Sequence, residues 1–177
     1  QALERHLSPA TSEILLLDQH NYFVFYPLLV EAGTGSLEPR HAVVSIRAFL
    51  RRARFRMVEV TAVDTGARRV LCRKRDASGV DEIPYDHLVM ALGSVTRWPE
   101  VPGLAEHGLE LKSLTDAVQI RDRMIELLER ADASPSAAER RELLHIVVVG
   151  GNFTGVEVAA ELQVFLKEAC RSYPDLR

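Results

Sequence analysis

The chain has 177 residues, of which 47% are hydrophobic and 27% are charged, as is typical of a folded protein with one large domain or two small ones. Its formal net charge of -3 and its pI near 6.1 lack the basic surplus of proteins that bind phosphate backbones, so we expect no nucleic-acid partner. The two cysteines, Cys72 and Cys170, stand far apart and outside any Cys/His pattern with metal-ligand spacing. We therefore expect neither a redox disulfide nor a metal site.

No apolar run reaches the roughly 20 residues that a membrane-spanning helix needs, and the first residues lack the pattern of a signal peptide. We therefore expect a soluble, intracellular chain. The sequence opens with QALERHL, which is typical of the middle of a helix. Its beginning would then lie upstream of Gln1.

Strands are predicted where branched and apolar residues run together. These runs cover residues 13–17, 56–63, 69–73, 87–92 and 145–149. The basic run RAFLRRARFR, residues 47–56, is interpreted as a solvated amphipathic helix face that leads into a strand. Turn signals at Thr65-Gly66 and Ser78-Gly79 indicate an antiparallel meander over residues 58–89.

The clearest predicted helix is SLTDAVQIRDRMIELLERA, with Thr115 placed to cap its N-terminus and a broad apolar face behind it. A loop is predicted over residues 131–138 and a short helical turn over residues 139–144. Strands that alternate with helices, with a small antiparallel layer between them, predict an α/β fold class.

The segment HIVVVGGNFTGVEVAAEL, residues 145–162, combines an apolar strand, a glycine-rich turn and a helical pattern. In a dinucleotide-binding βαβ unit, such a turn offers free backbone N–H groups and the positive end of the helix dipole to a pyrophosphate. Gly150 is placed for the tight turn, Thr154 for the helix start and Gly155 for close packing of the helix on the strand. The carboxylate of the unit, expected about 20 residues later, would lie beyond Arg177.

Asn152 departs from this pattern, because a second glycine normally lets the backbone approach the pyrophosphate and a side chain crowds it. The motif alone fits equally well a helix start in which the glycines only permit close packing. Both interpretations stay open at this point. The strand before the turn and the Ala-rich helix after it favour nucleotide binding.

The stretch EILLLDQHNY is typical of the second strand of another such unit, because it is apolar and ends in a carboxylate, Asp18, that could accept hydrogen bonds from ribose hydroxyls. Its own glycine turn would precede Gln1. We therefore expect both nucleotide sites to be incomplete, one at each terminus.

Three segments, LLLDQHNYFVFYPLLVEAGTGSLEP, IPYDHLVMALGSVTRWPEVPGL and VVVGGNFTGVEVAAEL, resemble in order and spacing the FAD-dependent pyridine nucleotide oxidoreductases. The chain is most similar to the type II NADH dehydrogenases, which pass electrons from NADH through FAD to a quinone. The resemblance covers nearly the whole chain and implies a partial flavoprotein fold with two Rossmann-like dinucleotide-binding domains. Residues 1–104 would form an FAD-binding domain without its first strand and phosphate turn, and residues 105–177 the start of an inserted NADH-binding domain.

The resemblance also implies cofactor contacts. Asp18 is similar to the carboxylate on the FAD ribose, and Val60 to the strand residue whose backbone meets the adenine. ALGS, residues 91–94, resembles the turn that holds its glycine against the cofactor, although it could also be a simple strand-ending turn; Leu92 replaces a common Thr, so a hydroxyl contact is not expected. The implied cofactor-binding residues are Asp18, Asn21, Tyr22, Pro27, Leu28, Val60, Ala91, Gly93, Ser94, Gly150, Gly151, Asn152, Thr154 and Gly155.

Glu157 is the candidate catalytic residue. In the family, the glutamate of the GVE motif is implicated in substrate binding or proton handling near the meeting point of nicotinamide and flavin. From the residues alone, a carboxylate in the first turn of a helix could equally serve the helix dipole. Glu161, one turn later, fits a solvated or pairing role.

The resemblance implies hydride transfer from NADH, with NADPH not excluded, to FAD and electron transfer to a quinone or another small acceptor. The absence of a cysteine pair argues against a disulfide reductase. In full length, such a protein would lie on the cytoplasmic face of a membrane, through a C-terminal segment that this chain lacks. The alternative is a non-catalytic, truncated domain that acts only as a binding or interaction module. The sequence leaves the oligomeric state open.

Overall fold

The computed structural model describes residues 1–73 and 79–176, and the chain divides into two compact units. Unit 1 contains Gln1–Phe23 and Val44–Ser94, and unit 2 contains Val24–Val43 and the chain from Val95 onward. The helices are α1 (Ala2–His6), α2 (Leu29–Thr34), α3 (Ile46–Phe49), α4 (Leu104–His107), α5 (Leu114–Ala133), α6 (Ala137–Leu143) and α7 (Phe153–Ala169). The strands are β1 (Leu15–Asp18), β2 (Tyr22–Val24), β3 (Val43–Ser45), β4 (Arg54–Met57), β5 (Glu59–Asp64), β6 (Arg69–Arg73) and β7 (Val80–Pro84). Short 3-10 helices cover Tyr26–Leu28, Pro39–Ala42, Cys170–Ser172 and Pro174–Leu176.

The strands form three small sheets. β1 pairs with β4 in parallel, with Leu15 opposite Arg54 and Asp18 opposite Met57. β5, β6 and β7 form an antiparallel meander in that order, and β2 and β3 form a further two-stranded sheet. The meander confirms the prediction for this stretch, although Ser78 lies outside the described residues.

The core of unit 1 lies under the meander. Val58, Val70 and Cys72 are buried there, and Leu17 of β1 and Ile83 of β7 pack against them. The alternation of branched apolar and polar residues along β5 and β6 places one face of each strand on this core. Burial raises the pKa of the Cys72 thiol, because an apolar environment disfavours the thiolate.

Helix α1 is fixed to the turn that precedes β4. The Glu4 carboxylate accepts backbone hydrogen bonds from Ala53 at 2.8 Å, Arg52 at 2.8 Å and Arg51 at 2.9 Å. These bonds lower the pKa of Glu4 from 4.5 to about 2, and the bond from Ala53 makes the largest contribution. The Arg52 guanidinium also donates to the main-chain carbonyl of Glu4 at 3.0 Å.

The prediction of a helical face over residues 47–56 is therefore wrong in its extent. Only Ile46–Phe49 is helical, and Arg54–Met57 is strand β4. The cause is tertiary, because Glu4 holds residues 51–53 in a turn and β1 provides a partner for the strand that follows. The arginines of this run are nevertheless largely exposed, as expected for a solvated surface.

Helices dominate unit 2. Its core contains Leu29 and Ala32 of α2, Ala117 of α5, and Ala42 at the end of a 3-10 helix. Gly33 lies against the backbone of Ala117, so a small residue there allows α2 and α5 to approach closely. The predicted helices over α5, α6 and α7 are confirmed.

The N-terminal cap of α5 is Ser113, and the prediction of Thr115 is wrong. The Ser113 hydroxyl accepts the Asp116 N–H at 3.1 Å, and the Asp116 carboxylate accepts the Ser113 N–H at 2.7 Å. This reciprocal capping box satisfies two donors that a helix start otherwise leaves without intrahelical partners. The helix also runs on to Ala133, so the connection predicted over residues 131–138 is shorter, at residues 134–136.

Two of the predicted strands, residues 87–92 and 145–149, are wrong for this structure. Neither segment belongs to a β-ladder among residues 1–73 and 79–176. Their side chains are open to solvent, with Val89 and Val147 each 73% exposed. An apolar, branched sequence favours an extended chain, but a strand exists only where a neighbour completes its hydrogen bonds.

Candidate functional site

The glycine turn before α7 has the backbone that its sequence predicts. Gly150 has φ +113°, a conformation that L side chains rarely adopt. A Cβ at Gly155 would collide with the Gly150 carbonyl oxygen, so helix and turn touch backbone to backbone. Both glycines are thus required by the turn itself, whether or not a ligand binds there.

Asn152 caps α7. Its Oδ1 accepts the Gly155 N–H at 2.9 Å, its backbone is extended with φ -76° and ψ 179°, and its main-chain oxygen accepts the Val156 N–H at 3.0 Å. The helix therefore begins at Phe153, and Thr154 is its second residue. Its role as a cap was not predicted, although Asn directly before a helical pattern is a strong N-cap signal.

Glu157 is exposed on α7, but the expectation that it lies in the first turn is wrong. It is preceded in the helix by Phe153–Val156, and the first turn contains no acidic residue. The stabilisation that a carboxylate gains from a helix dipole falls off beyond that turn, so the dipole does not account for this glutamate. Glu161 has a pairing role, because its carboxylate accepts the Ser36 hydroxyl at 3.1 Å.

Asp18 ends β1, as predicted. Its Oδ1 accepts the His20 N–H at 2.8 Å, and the His20 ring nitrogen Nδ1 lies 3.7 Å from the same oxygen. The side chain is 45% exposed, so the carboxylate can accept further hydrogen bonds. The contact with His20 was not predicted; the only signal in the sequence is the tendency of Asp to bond the backbone two residues later.

The residues that follow Asp18 fold back on the same unit. The Asn21 carbonyl accepts the Ile46 N–H at 3.0 Å, and the Tyr22 ring lies 5.3 Å from the His20 ring between centroids. Val60 in β5 lies opposite Cys72, next to an irregularity in the register of the meander. This irregularity locally interrupts the ladder at the position where an adenine contact is predicted.

The ALGS turn is open. Gly93 has φ +68°, and no atom lies within 4 Å of the position where a Cβ would stand. Ala91, Leu92 and Ser94 are also exposed. The positive φ agrees with the prediction that a glycine turns the chain here.

The predicted site residues are distributed over both units. Unit 1 contains Asp18, Asn21, Tyr22, Val60, Ala91, Gly93 and Ser94. Unit 2 contains Pro27, Leu28, Gly150, Gly151, Asn152, Thr154, Gly155 and Glu157. Pro27 is exposed in the 3-10 helix Tyr26–Leu28, and Leu28 packs against the core of unit 2.

In each unit the predicted residues fit one part of a dinucleotide site, and in unit 2 one residue conflicts with such a site. Asp18 offers a partly free carboxylate at the end of an apolar strand, and Gly150 and Gly155 form a tight turn before a helix. The conflict lies at Asn152, whose side chain already uses one donor of that helix start.

Residues 1–73 and 79–176 contain no group of three or more His, Cys, Asp or Glu side chains that could hold a metal ion. Cys72 and Cys170 are free thiols. None of the described helices is both long and apolar enough to span a bilayer.

The chain is similar to known proteins. The sequence profile of the pyridine nucleotide-disulphide oxidoreductases matches residues 2–170. The chain is 38% identical, over 97% of its length, to a probable mitochondrial NADH-ubiquinone oxidoreductase of Schizosaccharomyces pombe, and 34% identical, over 98%, to the external alternative NADH-ubiquinone oxidoreductase of Yarrowia lipolytica mitochondria. It covers 33% and 31% of these relatives.

A solved structure of NDH2 from Plasmodium falciparum in complex with NADH is similar in fold, with a TM-score of 0.86 and 30% sequence identity over 94% of this chain and 35% of that one. The similarity confirms the Rossmann-like α/β fold class that the sequence predicts. The chain spans about a third of the length of the relatives it matches, and it belongs to the pyridine nucleotide-disulphide oxidoreductase family.

Proposed function

We propose that this chain is part of an FAD-dependent oxidoreductase that takes a hydride from NADH or NADPH and passes electrons to a quinone. The observation that carries the proposal is its similarity, over nearly the whole chain, to proteins named NADH-ubiquinone oxidoreductases. The strand that ends in Asp18 and the glycine turn before α7 support it, because each has the form of one part of a separate dinucleotide site, the first in unit 1 and the second in unit 2. Residues 1–104 would belong to the FAD domain and residues 105–177 to the NADH domain.

In unit 1, Asp18 is proposed to bind the ribose of FAD. A carboxylate accepts two ribose hydroxyls well, and the hydrogen bond from the His20 N–H fixes one of its oxygens. Gly93 leaves its main chain open to a ligand, and the remaining residues of unit 1 named above would contact the same cofactor.

In unit 2, the turn from Gly150 to Gly155 is proposed to bind the pyrophosphate of NADH at the start of α7. Bound FAD and NADH would supply the redox chemistry, and the protein would orient them and control their surroundings. Glu157 is proposed as the carboxylate that binds substrate or handles a proton, because it is exposed on this helix and matches the family motif GVE.

The acceptor and the location of the whole protein are further proposals. A quinone is favoured, since both curated relatives are named as ubiquinone oxidoreductases. They are also named as mitochondrial, and one of them as external, so a membrane surface is the expected place of action. The cytoplasmic face of a membrane, predicted from the sequence, stays a prediction.

Cofactor binding by the purified chain tests the proposal. FAD and NADH are titrated separately by isothermal calorimetry into the wild-type chain, Asp18→Ala and the control Asp86→Ala, which removes an exposed carboxylate of the same unit. Loss of a hydrogen bond to a charged group predicts about ten- to a hundredfold weaker FAD binding for Asp18→Ala, with NADH binding unchanged. Equal FAD affinities in all three would show that Asp18 does not bind the ribose.

The same titration decides the alternative, a non-catalytic binding or interaction module. The exposed apolar segments 87–92 and 145–149 favour it, because unpaired extended chain readily associates with other chains. We expect weak cofactor binding and little or no NADH oxidation by the 177 residues alone. No binding of either cofactor at millimolar concentration would favour the module, whereas NADH oxidation at the rates of an intact flavoprotein would contradict the expected inactivity.

A further inference from the structure

Helix α1 is held in unit 1 by polar contacts rather than by apolar packing. It contributes no side chain to the core of that unit, and Leu3 and the adjoining Leu7 are 48% and 42% exposed. A surface helix normally turns such side chains towards a core. The contacts that fix α1 are instead those of Glu4 and Arg52 at the turn of residues 51–53.

This turn directs three consecutive main-chain N–H groups at one oxygen. The N–H groups of Arg51, Arg52 and Ala53 donate to Glu4 Oε1 at 2.9, 2.8 and 2.8 Å. Successive N–H groups that converge on one point form a concave anion-binding surface. The Arg52 guanidinium adds positive charge beside it and donates to the Glu4 carbonyl at 3.0 Å. The turn therefore offers the donors and the charge that a carboxylate binds best.

The second carboxylate oxygen of Glu4 is independent evidence of this attraction. The Glu4 side chain is only 4% exposed, and Oε2 is buried without a hydrogen-bond partner among the described residues, although the Gln1 terminal ammonium lies 3.7 Å away. Burial of such an oxygen costs free energy. The backbone hydrogen bonds, that from Ala53 most of all, nevertheless lower the pKa of Glu4 to about 2. The donors of the turn thus outweigh the cost of burying the charge.

We propose that residues 51–53 and the Arg52 guanidinium form a binding site for a carboxylate group, which α1 fills in cis as a tethered ligand. The N–H groups contact the carboxylate, and Arg52 also donates to the main-chain carbonyls of Leu3 and Leu7 in the segment that carries it. The site therefore fits a small free carboxylate or the glutamate of a short helical peptide. The tether keeps the local concentration of Glu4 high, so an external carboxylate binds only when Glu4 is removed.

Chemical rescue of Glu4→Ala tests the proposal. Loss of hydrogen bonds to a charged group should lower the melting temperature by about 2–5 °C. Sodium acetate at neutral pH should restore part of this loss, increasingly with its concentration, because it binds the folded state at the vacated turn. Sodium chloride and uncharged acetamide should not. If Glu4→Ala does not fold in plain buffer, acetate should restore its circular dichroism spectrum.

The matched control is Glu13→Ala, which removes an exposed carboxylate of the same unit that pairs with Arg54 at 2.8 Å. Acetate stabilises many folded proteins without binding to a site. Its effect on Glu4→Ala is therefore measured as the excess over its effect on wild type and on Glu13→Ala.

The backbone amide signals of residues 51–53 in ¹⁵N NMR give a local readout. In Glu4→Ala they should shift saturably with acetate, and in wild type they should not, because Glu4 already occupies the turn. A synthetic peptide of residues 1–10 distinguishes the two sources of the carboxylate, with the same peptide carrying Gln in place of Glu4 as its control. Saturation by the glutamate peptide at lower concentration than by acetate would identify a glutamate-bearing helical turn as the ligand; equal concentrations would identify a free carboxylate.

Two results would overturn the proposal. The first is an acetate effect on the melting temperature of Glu4→Ala that is no larger than that on Glu13→Ala. The second is the absence of any shift in the amide signals of residues 51–53 with acetate and with the peptide. Either would mean that Glu4 only closes a structural turn. Neither depends on the proposed redox function, which is tested by cofactor binding.

Discussion

The antiparallel meander β5-β6-β7 and the segment 145–149 both contain branched apolar residues, but they differ in structure. Val70 in the meander is 4% exposed, and Val147 is 73% exposed. Each strand of the meander has a neighbour, whereas segment 145–149 has none within the two described ranges. An apolar sequence therefore favours burial, but its side chains become buried in a sheet only where the segment pairs with a neighbouring strand.

The turns next to these two regions do not show this contrast. Segment 145–149 is exposed, but the turn that follows it has Gly150 at φ +113° and Gly155 in backbone contact with the Gly150 carbonyl. Gly79, which leads into β7, also has a positive φ, +139°. Both turns therefore contain a backbone conformation that favours glycine, whether the neighbouring strand is paired or unpaired.

The largest effect is expected from a charge placed in each region. Val70→Asp should reduce the free energy of unfolding by about 3–5 kcal/mol, because it buries a charge without a partner in the core of unit 1. Val147→Asp should change it by less than about 0.5 kcal/mol, as at other exposed positions. Urea unfolding followed by circular dichroism measures both. Equal losses would mean that segment 145–149 is packed in solution.

An intermediate effect is expected at the glycine turn. Gly155→Ala should cost about 1–3 kcal/mol, the usual range for a side chain forced into filled space, because its Cβ meets the Gly150 carbonyl oxygen. The control Gly151→Ala meets no atom and has no positive φ, so its stability should stay close to that of wild type. Thermal unfolding compares the two. If Gly155→Ala were as stable as the control, the close approach of α7 to the turn would be contradicted.

The smallest effect concerns the entry to β4, which Glu4 holds through three backbone N–H groups. The pKa of Glu4 is about 2 in the folded chain and 4.5 ordinarily. Because the folded pKa is lowered, the carboxylate stabilises the fold above pH 4.5, and this contribution is lost as the pH falls towards 2. Glu4→Gln should lack this part of the pH dependence.

Melting temperatures measured between neutral pH and pH 2 test this last prediction. The control is Glu100→Gln, which removes an exposed carboxylate of unit 2. It should follow the wild-type curve, whereas Glu4→Gln should be less stable at neutral pH and converge with wild type in acid. Parallel curves for Glu4→Gln and wild type would show that the hydrogen bonds at Glu4 do not stabilise the N-terminal helix.

The features that the sequence predicts correctly are those with a local signal. The strand end at Asp18, the glycines at 150 and 155 and the meander all follow from spacing or backbone preference within a few residues. The features that were predicted wrongly have local and distant causes. Ser113 rather than Thr115 caps α5 through a reciprocal bond that the pattern allowed but did not select, and Glu4 decides the conformation of residues 51–53 from far away in sequence.

The α/β class, the family and the positions of Asp18, Gly93 and the turn before α7 can be predicted from the residues, because these features depend on residue identity and short-range backbone geometry. Which apolar runs become strands depends on tertiary contacts, since a β-ladder requires a partner that no single segment contains. The role of Asn152 as a cap also becomes clear only in the folded chain, because the same side chain could crowd a phosphate or bind its own helix. The 2.9 Å bond to the Gly155 N–H selects the second.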